Sequence, residues 1–136
     1  MREILFRGKR IDNGEWVEGN LFMPDEVKGR TAPTEILIGT NYVRISYEVD
    51  PATVGQYTGL TEKNGKKVFE GDVVTFTRFN ALGYATRRTG DVRYYDELPI
   101  FYIMATTGDA WDWCDCEDIE VIDNIHDNRE LLKGAD

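Results

Sequence analysis

The sequence contains one histidine, His126, so any site that needs two imidazoles is excluded. It contains two cysteines, Cys114 and Cys116, separated by one residue. A bridge between them would close a very tight ring, so a disulfide framework is not expected and reduced thiols are. Cys-x-Cys is also tighter than the usual spacing of a zinc knuckle. No run of about 18 apolar residues occurs, which excludes a membrane-spanning helix. The opening stretch, MREILFRGKRIDNGEW, lacks the apolar core of a secretion signal, and a cytoplasmic location is expected. Positive charge is scarce: 16 Lys and Arg stand against 25 Asp and Glu, a net charge of −9. Such a surface repels nucleic-acid phosphates and anionic lipid.

The excess is not spread evenly. Residues 1–68 are neutral, and residues 109–136 carry two basic and ten acidic side chains. The acidic end is therefore the expected surface for a basic protein partner. The neutral half is the expected surface for self-assembly, because a small β protein often covers its strand edges by oligomerising.

What is present is mostly β pattern. EILFRGKRI and EWVEGNLF flank Asp12-Asn13-Gly14, residues that tolerate the positive φ of a tight hairpin turn. MPDEVKGRTAPTE, residues 23–35, reads as a loop. ILIG and YVRISYEV read as strands on either side of a turn near Asn41. Asp50-Pro51 is expected to end the second of these, because proline cannot donate to a ladder. PATVGQYT then reads as a helical turn or an irregular crossing. KVFEG, DVVTFTRF, GDVRYYD, IFYIMAT and WDWCDC follow as short strands, with a break at Glu97-Leu98-Pro99. IFYIMAT is expected to be the most buried of them, and DNRELL a short helical turn. Trp111 and Trp113 alternate onto one strand face, where they serve either as core or as a subunit interface. The fold class is mainly β with little helix: a β-rich N-terminal portion, 1–66, and a small SH3-like barrel, 67–136.

The glycine-rich run TVGQYTGLTEKNGKKVFEGDVV resembles a phosphate-binding loop only at first sight. A P-loop places four residues between its glycines and Ser or Thr after its lysine. Here five residues separate Gly59 from Gly65, and Lys67 follows Lys66. The residues after it are strand-like, so no helix N-terminus faces a phosphate. Asn64-Gly65 is read instead as a hairpin turn.

Three stretches resemble one family. VGQYTGLTEKNGKKVFEGDVV resembles the signature of the YopX-like proteins of phages and prophages. FRGKRIDNGEWVEGNLF is similar to the opening of that family, and VIDNIHDNRELL to its close. Asp123 stands where the family usually has Gly, His126 near a usual Tyr and Arg129 near a usual Pro. The resemblance implies a mainly β, two-part fold and a mobile-element origin in a bacterial host cell. It implies no catalytic residue.

No cofactor and no metal site is expected. Zinc on Cys114, Cys116 and His126, a Cys–His dyad, and calcium or paired-carboxylate chemistry on Asp109, Asp112, Asp115, Glu117 and Asp118 all lack the required spacing or surroundings. The expected role is a non-enzymatic, self-associating protein-interaction module, with Asp109, Asp112 and Asp118 as its acidic partner-binding face. The alternative is single-stranded nucleic-acid binding by the basic-aromatic hairpin 76–95. Its contacts would be Arg78, Arg87, Arg88, Arg93 and Tyr84, in the manner of small barrels that stack bases in a basic groove. Net charge weighs against that alternative.

Overall fold

The computed structural model describes residues 3–23, 33–39, 43–95, 97 and 100–128. The reading of DNRELL as a helical turn falls largely outside these residues, as do most of the loop 23–35, the turn near Asn41, and Leu98-Pro99. The described chain is almost entirely β, in two antiparallel sheets. It divides into two compact units, Met1–Tyr57 and Thr58–Asp136, so the boundary lies at 57/58 rather than 66/67.

In the first unit, β1 (Phe6–Arg10) and β2 (Trp16–Phe22) form the expected hairpin. Gly14 turns it at φ 73°, a backbone region that favours glycine. β3 (Glu35–Gly39) pairs with β2, and β4 (Arg44–Thr61) pairs with β3 and then with β1. The β1–β4 pairing closes the four strands into a ring. The ring is narrow at Gly8, where an added Cβ would stand 2.8 Å from Val49 Cγ2. Ile36, Val49 and Tyr57 are buried here.

Pro51 does not end the strand as expected. Lys9 pairs with Asp50 and Arg7 with Gly55, so two residues of β1 face a longer stretch of β4. Pro51 sits in that bulge, where its missing N–H breaks no ladder bond. Thr53 fastens the bulge. Its hydroxyl accepts from Lys9 N–H at 2.9 Å and donates to the Asp50 carbonyl at 2.6 Å. The stretch PATVGQYT is thus extended, neither helical nor a crossing.

In the second unit, the end of β4 and β5 (Lys67–Phe69) form a hairpin through Asn64-Gly65, with Gly65 at φ 85°. β6 (Asp72–Phe79), β7 (Ala85–Tyr95), β8 (Ile100–Ala105) and β9 (Ala110–Asp112) run as a meander. A 3-10 turn, Trp113–Asp115, leads to β10 (Glu117–Asn124), which returns to pair with β6. The strand order is β10-β6-β7-β8-β9. Its core gathers Val68, Val74, Phe76, Val92, Ile103, Ala105, Cys116 and Ile119. Trp113 lies in the 3-10 turn, not on the extended strand assigned to it from sequence. Trp111 and Trp113 are both half-buried and pack against this core. Fully burying a side chain such as Phe76 contributes about 1.5–3 kcal/mol.

Candidate functional site

β8 is less buried than its apolar run suggests. Strand alternation sends Ile103 and Ala105 into the core and leaves Tyr102 and Met104 on the opposite face, half-buried, with Ile100 exposed. The register aligns that outer face across three strands. Tyr95 stands opposite Ile100, and Tyr102 opposite both Arg93 and Asp112. Met104 stands opposite Asp91 and Ala110. Of these, Tyr95, Ile100, Tyr102, Met104, Ala110 and Asp112 line, with Trp111 and Asp115, a groove of about 460 Å³. Its floor is aromatic and aliphatic: the Tyr95 and Tyr102 rings meet edge-on, 6.5 Å between centroids. The Tyr95 hydroxyl donates to Glu97 at 2.9 Å, and that bond holds the phenol pKa above its ordinary value.

The 3-10 turn builds one end of the groove. Cys116 N–H donates to the Trp113 carbonyl, which folds the segment back and turns Cys116 inward. The Asp112 and Asp115 carboxylates and Cys114 Sγ come within 4.8 Å of one another, all exposed. The Cys116 thiol is buried, and burial pushes its pKa up to about 11, which keeps it a thiol rather than a nucleophilic thiolate. His126 lies apart from this group, in the turn after β10, where its N–H donates to Asn124 Oδ1.

The four arginines of hairpin 76–95 do not share one surface. Arg87 stands opposite Thr77 and Arg88 opposite Phe76, so neighbouring arginines point to opposite faces. By the same alternation Arg78 shares a face with Arg88, and Arg93 with Arg87. Each is engaged within the protein. Arg78 lies over Trp111 at 3.5 Å from the ring centroid and donates to the Asp115 carbonyl at 2.7 Å. Arg87 donates to Thr75, Thr77 and the Asp118 carbonyl, and lies 3.5 Å from the Asp118 carboxylate. Arg88 donates to Thr107, and Arg93 to Asp91 at 2.8 Å. Tyr84 projects from the loop between β6 and β7 and is exposed.

The three aspartates of the expected acidic face differ in their surroundings. Asp109 accepts from the Thr107 hydroxyl, which holds its pKa below the ordinary range. Asp118, at φ 53°, pairs with Lys63 and Arg87. Asp112 lines the groove. β9 and β10, which carry Asp112 and Asp118, stand at the two ends of the strand order.

The YopX family model, described as YopX protein, matches residues 5–133. The chain belongs to the YopX family. A crystal structure of protein EF1440 from Enterococcus faecalis is similar in fold, with a TM-score of 0.58 and 21% sequence identity. The match covers 98% of this chain and 100% of that one. Comparison with curated proteins gives no match.

The run that carries the YopX resemblance has a structural explanation. It holds two buried carboxylates that sequence reasoning passed over. Glu62 accepts from the N–H groups of Asn64 at 2.6 Å, Lys66 at 3.1 Å and Val121 at 3.1 Å. It thereby ties the hairpin turn to β10. Burial alone would raise the Glu62 pKa, but the backbone donors outweigh it and hold the pKa below the ordinary value. Asp72 accepts from Phe69 N–H at 2.7 Å and closes the turn at Glu70-Gly71. The signal was available: an acid placed two residues before Asn-Gly, and another just after Glu-Gly, are positions from which a short carboxylate reaches nearby backbone N–H groups. In this YopX chain the glycine-rich signature is a clamp for turns.

Proposed function

We propose that this chain is a non-enzymatic protein-interaction module of a bacterial phage or prophage, working in the host cytoplasm. Its second unit is read as SH3-like on its strand order. The observation that carries the proposal is the groove: an aromatic and aliphatic floor left uncovered on a sheet whose other face is a packed core. Exposed apolar surface of this kind marks a place where another chain is bound. The nucleic-acid alternative is less favoured, because Arg78, Arg87, Arg88 and Arg93 are divided between two faces and bonded within the protein.

The test is selection of a phage-displayed library of random dodecapeptides on the full chain. Enriched peptides should bind, and Tyr102→Ala with Met104→Ala should abolish that binding while leaving the circular dichroism spectrum unchanged. No enrichment, or enrichment indifferent to these substitutions, overturns the reading.

Self-association is the second part of the proposal, and one observation favours the first unit for it. Ile38 and Ile45 face each other across β3 and β4, and both are exposed. Sedimentation velocity over a concentration series should show an oligomer that Ile38→Lys with Ile45→Lys dissociates. A monomer at all concentrations removes this part.

A further inference from the structure

We infer that the groove takes an extended peptide segment carrying a basic side chain beside apolar ones, with the cation seated between Asp112 and Asp115. The inference rests on the interaction-module reading and adds the chemistry of the partner.

The acidic side chains of the second unit's strands and turns differ in their partners. Asp91 holds Arg93, Asp109 holds Thr107, and Asp118 and Glu120 share Lys63 and Arg87. The Asp112 and Asp115 carboxylates accept no hydrogen bond and join no ion pair among the described residues. Asp112 stands at the N-cap of the 3-10 turn, where a carboxylate commonly accepts a backbone N–H, yet its side chain makes no capping bond. The two carboxylates are held within 4.8 Å of one another. Like charges so close repel, and a cation between them removes the repulsion.

Arg78 does not occupy that position. Its guanidinium stacks on the Trp111 ring, and its hydrogen bond goes to the Asp115 main-chain carbonyl rather than to a carboxylate. Two carboxylates against one guanidinium leave this end of the groove negative. Glu97, bonded to Tyr95, adds negative charge beside another of the lining residues.

The apolar floor selects the kind of cation. Tyr102 stands directly opposite Asp112, and Met104 is two residues along the same strand. A bare metal ion gains nothing from that floor and would meet only exposed ligands. An arginine or lysine uses both features: its alkyl stem lies along the floor while its head reaches the carboxylates. Aromatic rings at the site attract such a head, as Arg78 on Trp111 already demonstrates within the chain. Apolar neighbours on the partner segment would fill the groove toward Tyr95 and Ile100.

The test examines the peptides enriched on the full chain. They are expected to carry Arg or Lys beside apolar residues. In the most enriched peptide, citrulline in place of arginine, or norleucine in place of lysine, should weaken binding about tenfold in a fluorescence-anisotropy titration at low salt. Asp112→Asn with Asp115→Asn should erase that difference while retaining affinity for the neutral peptide. Enriched peptides without basic residues, or equal binding of charged and neutral forms by the unaltered chain, overturn this inference and leave the groove reading standing. Binding that a chelator abolishes assigns the carboxylate pair to a metal and likewise overturns it. Failure of any peptide to enrich removes the groove reading itself.

Discussion

Among the described residues, the first unit buries three apolar side chains, Ile36, Val49 and Tyr57, whereas the second buries ten, from Val68 to Ile119. The first relies on directional contacts instead. Its strands close on themselves, Thr53 bonds both sides of a bulge, Arg7 lies 4.8 Å from the Trp16 ring centroid, and Arg10 lies 4.3 Å from that of Tyr47. Small β units with little core must be held by such contacts, because apolar burial grows with size. The second unit has enough core to leave one sheet face uncovered, and that face is where the groove lies.

The comparison is sharpest at Phe76. Phe76→Ala empties the centre of the second core and should cost about 3–5 kcal/mol in urea denaturation. Hydrogen exchange should accelerate across β6, β7 and β8. A loss below about 1 kcal/mol would mean that the core does not hold this unit.

Glu62→Ala should follow, at about 3 kcal/mol, since it orphans the N–H groups of Asn64, Lys66 and Val121. Its pH dependence has a definite sign. The Glu62 pKa is lower folded than its ordinary 4.5, so its contribution is complete above that pH. It disappears as pH falls further, through the depressed folded value. Glu62→Gln should flatten that part of the stability–pH curve, and an unchanged curve would remove Glu62 from it.

Thr53→Val tests the first unit. It keeps shape but leaves the Lys9 N–H and the Asp50 carbonyl without the hydroxyl, at about 1–2 kcal/mol. Faster exchange should be confined to β1 and the first part of β4. The smallest effect is expected at Arg87→Met. Arg87 is partly exposed and its ion pairs are screened, so the cost should stay below about 1 kcal/mol and shrink with added salt.

Local chemistry made the turns legible. Gly14 and Gly65 adopt positive φ, and Asp-Asn-Gly and Asn-Gly announce that requirement in a few letters. The mainly β class was legible for a similar reason, since short branched and aromatic runs alternate with turn residues. Pro51 misled because its bulge depends on β1, more than forty residues away in the chain. β8 misled because an apolar run does not say which of its faces will be covered. The arginines were recognised as a cluster in sequence, but β-alternation divides them and Asp118 and Asp91 engage two of them. The role of Glu62 depends on Val121, 59 residues later, which no local pattern encodes.

The closed ring of β1 to β4 bears on how the protein behaves when it is abundant. Each of these strands has a neighbour on both sides along part of its length, so none offers a whole row of free N–H and C=O groups. Amyloid-like growth needs such a row as its template. Copies that met through these strands would do so by side chains rather than by main-chain pairing. Crowding of newly made chains would then find no template for fibres in these strands.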